Sequence, residues 1–166
     1  RVITAQQVST AAADSIFARV LAACGGRATP AAALAAGHDG LRAAGCSGAK
    51  ARAVVELAQR LEAGELRLRG LHRLDDAAVV DRLVSIRGLG PWSVEMVLIF
   101  RLGRPDVFSP GDVGLRRAIE ARYPIAPGLR DRAWRTAACT LAESWRPYRS
   151  TACRYLWAAE DADIVY

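Results

Sequence analysis

A chain of 166 residues, 52% of them hydrophobic, suits one packed core and is too apolar to be a disordered segment. No apolar run reaches the length of a membrane span and no signal peptide is visible. The net charge of +6 is carried almost wholly by arginine, since Lys50 is the only lysine; this favours a polyanion as partner, although a GC-rich genome also inflates arginine and alanine together. The sequence opens on Arg1 rather than methionine, as expected of a processed chain or one that begins inside a longer protein.

Helical spacing runs through the sequence and nothing alternates as a strand does. "VSTAAADSIFARVLAACGG" predicts a helix with Ser9 as its cap and Gly25-Gly26 at its end. "TPAAALAAG" predicts a short helix opened by Pro30, and "SGAKARAVVELAQRLEAG" one capped by Ser47 and stopped by Gly64. Asp75 or Asp76 starts "AAVVDRLVSI", and Pro91 opens "PWSVEMVLIFRLG". "SPGDVGLRRAIEARY" follows, with Ser109 and Asp112 as a capping box and Pro110 at the first helical position. "LRDRAWRTAACTLAESW" and "YRSTACRYLWAAEDA" complete the chain, divided by Pro147. The expected fold is all-α, a single domain over 1–166.

Cys24, Cys46, Cys139 and Cys153 show no C-x-x-C spacing, so zinc and iron–sulfur sites are not expected and free thiols are. His38 and His72 are read as solvated loop residues.

The connection Arg87-Gly88-Leu89-Gly90 between two helices is short and pinched by glycines. Glycine allows positive φ and close backbone approach, while Leu89 can plug the turn into the core. Backbone amides left outside suit a phosphate without base preference. An ordinary αα-hairpin is the plain alternative. Asp112 likewise has a plain reading as a cap. It also has a chemical one: a carboxylate that stabilises a sugar cation as the bond to a base breaks.

These segments in this order resemble the helix-hairpin-helix/Gly-Pro-Asp DNA glycosylase superfamily. Its hairpin pattern is met by Leu83, Ile86, Gly88, Leu89, Gly90, Trp92 and Ser93, and its D-V-F-x-P-x-D pattern by Asp106, Val107, Phe108, Pro110 and Asp112. "ITAQQVSTAAA" is similar to the family's early segment, with Ala5 in place of the usual glycine, and "WRPYRSTACRYLW" to the closing segment of the 3-methyladenine DNA glycosylase II (AlkA-like) branch.

The resemblance implies a multi-helix glycosylase fold with its helix-hairpin-helix at about 76–102. It implies a monofunctional enzyme that flips and excises alkylated purines of the 3-methyladenine and 7-methylguanine type. The relatives that also cut the strand carry a lysine where this chain has Trp92. By resemblance Asp112 is catalytic; Trp92, Met96, Trp157 and Tyr148 form the substrate pocket; and Gln6, Gln7, Arg87, Gly88, Leu89, Gly90, Ser93 and Lys50 contact DNA, with Gln7 as the wedge. No cofactor is required. A Na⁺ or K⁺ on the main-chain carbonyls of Val84, Ile86 and Leu89 is expected, as is action on double-stranded DNA, as a monomer, in the cytoplasm with the nucleoid. Other readings stay open: a noncatalytic helix-hairpin-helix module, a glycosylase for other damaged bases, or a helical protein with no DNA role. Steeply salt-dependent duplex binding separates the last from the rest.

Overall fold

Side-chain caps set most of the helix starts. In the computed structural model, which describes residues 1–125 and 128–163, Ser9, Thr29, Ser47 and Asp75 each accept a hydrogen bond from an amide three residues on. This satisfies one of the donors that a helix leaves open at its first turn. Among the described residues the α-helices are α1 (Val2–Ala5), α2 (Thr10–Ala23), α3 (Pro30–Ala43), α4 (Gly48–Glu62), α5 (Asp76–Val84), α6 (Pro91–Met96), α7 (Val113–Arg122), α8 (Asp131–Ala142) and α9 (Arg149–Asp163). No strand occurs among them, so the fold is all-α. No described helix is long and apolar enough to cross a membrane.

Two helices differ from expectation, one in its end and one in its start. The helix opened by Pro30 runs on to Ala43 through a kink at Gly37, where φ is +64. His38 therefore lies inside α3, with Nδ1 3.0 Å from Asp39 Oδ1, rather than in a loop. The helix expected from Ser109 instead begins at Val113. Asp112 itself is the cap, with Oδ1 accepting from the Leu115 amide at 2.8 Å.

The chain forms two compact units, Arg1–Val94 and Glu95–Tyr166. In the first, α2, α3 and α4 close over Val20, Cys24, Leu41, Ala44, Cys46 and Ala51. The second centres on Phe108, Leu115, Ile119, Trp134, Cys153 and Leu156, contributed by α7, α8, α9 and the segment before α7. Burying a side chain of this size contributes about 1.5–3 kcal/mol, which sets the register of each helix. Cys24, Cys46 and Cys153 are buried free thiols, and Cys139 is free and exposed. Burial pushes the Cys153 thiol up to about 12, so it stays neutral as a core residue should.

Candidate active site

The first unit builds the hairpin. α5 ends at Val84, and Ile86 and Leu89 turn inward, 1% and 8% exposed. Two short bonds shape the turn: Ile86 N–H to Leu83 C=O at 3.1 Å and Leu89 N–H to Ile86 C=O at 3.0 Å. Gly88 takes φ +84, and a Cβ there would lie 2.6 Å from Ala53 Cβ on α4, so only glycine fits. Arg87, Gly88 and Gly90 face solvent, while Leu89 is the plug its place between two glycines predicts.

The loop after α1 is tied to this hairpin. The Gln6 side-chain amide donates to Gly88 C=O at 2.7 Å and to Ser93 Oγ at 2.8 Å. Lys50 Nζ donates to Thr4 C=O at 3.0 Å and Gln6 C=O at 2.7 Å. This corrects three expected DNA contacts. Ser93 is buried at 1% exposure, and Gln6 and Lys50 use their polar ends to brace the loop. What they hold up is Gln7, exposed and at φ +56, a conformation uncommon for a residue with a side chain.

The second unit builds the carboxylate site. Asp112 Oδ1 accepts from the Leu115 amide and also from Trp157 Nε1 at 2.9 Å. Gly114 makes room for this pair: a Cβ there would lie 3.2 Å from Asp112 Oδ1 and 3.4 Å from Trp157 Cδ1. Trp157 meets Phe100 at 5.4 Å between ring centroids, tilted by 31°. Phe100 is 59% exposed, and the Arg154 guanidinium lies 5.5 Å from its ring centroid.

Sequence reasoning missed Phe100. Its spacing of four from Met96 and eight from Trp92 was the available signal. What decides its placement is a π-helical stretch, Val97–Arg101, into which Arg154 donates at the Ile99 carbonyl, 2.8 Å away.

The other expected pocket residues divide. Trp92 is half-buried in α6. Met96 is buried at 7% exposure, packed as core. Tyr148 is 65% exposed. The nine positions from it to Trp157 amount to roughly 13 Å along the helix, so it does not flank the Asp112–Trp157 pair. Phe100 takes that place.

A second carboxylate, Glu95, belongs to this unit. Ser109 Oγ donates to Glu95 Oε2 at 2.5 Å. Burial pushes the Glu95 carboxyl above the usual range, and the Asp112 charge adds to the shift; the Ser109 hydrogen bond and the Arg135 charge oppose it. Asp106, from the same motif as Asp112, has a structural task. It accepts from Arg149 Nε at 2.7 Å and Arg146 Nη1 at 2.7 Å, and the Arg149 hydrogen bond holds its carboxyl below the ordinary range.

Known proteins share this architecture. The Schizosaccharomyces pombe DNA-3-methyladenine glycosylase 1 is 30% identical over 162 residues, covering 95% of this chain and 68% of that one. The solved structure of the S. pombe 3-methyladenine DNA glycosylase in complex with abasic DNA superimposes with a TM-score of 0.82 at 29% identity, covering 94% of this chain and 75% of that one. A DNA-3-methyladenine glycosidase structure from Bacillus halodurans gives 0.74 at 34% identity, covering 95% and 71%. The Bacillus subtilis protein YfjP is 35% identical over 108 residues, which are 65% of this chain and 36% of YfjP, so the chain spans about a third of that curated relative. The model of base excision repair proteins with a helix-hairpin-helix and Gly-Pro-Asp motif matches residues 1–138. The chain belongs to the HhH-GPD superfamily of base excision DNA repair proteins.

Proposed function

We propose that this protein is a monofunctional DNA glycosylase that excises alkylated purines, of the 3-methyladenine and 7-methylguanine type, from double-stranded DNA as a monomer. The observation that carries the reading is Asp112, fixed at the start of α7 by the Leu115 amide and by the indole N–H of Trp157, whose ring meets the exposed Phe100. As the bond from C1′ to the base breaks, its electron pair leaves with the base and positive charge grows on the sugar. A carboxylate about 4 Å away at an effective dielectric of about 20 stabilises that charge by about 4 kcal/mol, which is roughly a thousandfold in rate. Water then adds to C1′ and gives up its proton, for which Asp112 is the acceptor.

Aromatic rings suit the leaving base. A methylated purine carries positive charge, worth about 0.5–2 kcal/mol against an electron-rich ring. Stacking of a flipped base adds about 1–3 kcal/mol. A cationic base departs as a neutral molecule, so no acid need protonate it. Trp92, Trp157 and Phe100 are assigned to this task. Water rather than an amine is the nucleophile in this reading: Trp92 stands where a lyase has its lysine, and the Lys50 ammonium is bonded to backbone carbonyls. Gln7, Arg87, Gly88 and Gly90 are assigned to DNA, Gln7 as the wedge that fills the stack.

The hairpin's donor set suits a monovalent cation. It comprises neutral carbonyl oxygens at the end of α5, where a helix leaves acceptors without intrahelical partners, and in the turn that follows. The Ile86 carbonyl takes the Leu89 N–H and keeps a second lone pair. Val84, Ile86 and Leu89 would hold the ion, which would supply positive charge towards a DNA phosphate.

Base release tests the reading. Duplex DNA bearing N-methylated purines should yield free base and alkali-labile but uncut strands. No release, with salt-sensitive duplex binding intact, would leave a gripping module instead. Within the site, Trp157→Phe keeps a ring and removes the N–H that Asp112 accepts. A hydrogen bond to a charged group is worth about 1.5–3 kcal/mol, so single-turnover excision should fall roughly ten- to a hundredfold with duplex affinity unchanged. Wild-type rates in this variant would assign Trp157 to packing alone.

A further inference from the structure

We propose that Glu95 is a positioning residue of the excision centre: through buried Ser109 it fixes the turn that presents the Asp112 carboxylate. The inference rests on the reading of Asp112 as the group that acts on the sugar. It adds a second carboxyl with a separate task.

The geometry is a chain of contacts. Ser109 is fully buried, at 0% exposure, and its hydroxyl donates to Glu95 Oε2 at 2.5 Å. Its carbonyl accepts the Asp112 N–H at 3.1 Å, which closes the four-residue turn Ser109-Pro110-Gly111-Asp112. Arg135 packs on the outside of this turn, since a Cβ on Gly111 would lie 3.0 Å from its Nη1. The Asp112 carboxylate is thus held from both ends. Leu115 and Trp157 fix one oxygen, and Glu95 fixes the backbone from which the side chain leaves. A Ser at this position would serve as a helix cap in the plain reading. Here its hydroxyl is turned away from the helix and given to a carboxylate instead.

Ionisation of Glu95 matters for the same reason. The charged and titratable groups that face it are Asp112 on the turn, Arg135 and Cys139 on α8, and Cys153 on α9. As a carboxylate, Glu95 takes a charge-assisted hydrogen bond, the stronger kind. Its carboxyl lies above the usual range. Acidification through that raised value therefore protonates Glu95, weakens its hold on Ser109 and removes a negative charge from the neighbourhood of the sugar cation. Excision should lose rate there, at higher pH than an ordinary glutamate would dictate.

The test is single-turnover excision by the full chain on a duplex with one N-methylated purine, across a pH series. Duplex affinity is measured with an abasic-site analogue, and folding by thermal melting. Glu95→Ala and Ser109→Ala should each slow excision roughly ten- to a hundredfold, the scale of a misplacement below or near 1 Å. Affinity should not change, and the double variant should be no slower than the worse single one. Glu95→Gln keeps an acceptor for Ser109 but not the charge, so it should excise faster than Glu95→Ala, at about the rate wild type falls to once Glu95 is protonated, and should lose the acid limb of the profile. Should Glu95→Ala not fold, Ser109→Ala, which removes one oxygen, and Glu95→Gln carry the test.

Excision within about twofold of wild type in Ser109→Ala, or an unchanged acid limb in Glu95→Gln, would overturn the proposal. Fully multiplicative losses in the double variant would do the same. Asp112→Asn run beside them separates the two readings. If it stays active, the assignment of Asp112 fails and this inference with it. If it is inactive while the Ser109 and Glu95 variants excise normally, only the positioning role is lost.

Discussion

Asp112→Asn is expected to abolish most excision while leaving the fold and duplex affinity in place. Asparagine retains an Oδ1 that can accept from the Leu115 amide and the Trp157 indole, as the carboxylate oxygen does now. It is also among the best N-cap residues, so α7 should keep its start. What disappears is the charge. One preorganised electrostatic group typically carries a hundred- to a thousandfold in rate, and the pairwise figure of about 4 kcal/mol for a carboxylate and a sugar cation agrees with that range. Single-turnover base release should therefore fall by about a hundredfold or more, with melting temperature and abasic-duplex affinity close to wild type. Activity within about tenfold of wild type would reduce Asp112 to a helix cap. An accompanying loss of melting temperature would instead show that the charge, not only the acceptor, holds the second unit together.

The sequence made the local features legible. Ser9, Ser47 and Asp75 cap helices where a polar residue precedes a helical apolar pattern, because capping involves residues three apart. Leu89 between two glycines reads as a buried plug for the same local reason. The order of hairpin, helix and Pro-Gly-Asp carried the family, since its spacing lies within one stretch of chain. Features decided by remote partners stayed hidden. Ser109 and Asp112 are both plausible caps in isolation. Glu95 selects between them by taking the Ser109 hydroxyl, and the helix starts later. Lys50 is placed among the DNA contacts by resemblance, whereas its ammonium meets the carbonyls of Thr4 and Gln6. Phe100 lies in an apolar run that reads as core. A π-helical stretch, supported by Arg154 from α9, leaves it exposed. Tyr148 shows the reverse error: an aromatic in a family-like segment was expected at the pocket, but helix length places it too far along from Trp157.

Gly88→Ala should be the most damaging single methyl added to the hairpin. The residue sits at φ +84, and its new Cβ would lie 2.6 Å from Ala53 Cβ. The left-handed conformation costs about 1–2 kcal/mol for a residue with a side chain. The contact cannot be relieved by turning a flexible tip, because Ala53 has none, so α4 or the hairpin must move. Overpacking of this kind costs about 1–3 kcal/mol. A combined loss of about 2–5 kcal/mol is a large share of the 5–15 kcal/mol that typically holds a domain folded. At about 2–4 °C per kcal/mol for a chain of this size, the melting temperature should drop by roughly 5–20 °C. Because the Gly88 carbonyl accepts from Gln6, the loop that carries Gln7 should shift too, and duplex affinity should weaken with it. Gly90→Ala is the control: nothing lies within 4 Å of its added Cβ, so stability should stay near wild type. Adding Ala53→Gly to Gly88→Ala removes the clash but not the strained φ. Thermal melting of the pair should then recover part of the loss. No recovery would locate the whole effect in the backbone conformation, and a harmless Gly88→Ala would mean that the hairpin is not pinned against α4 at all.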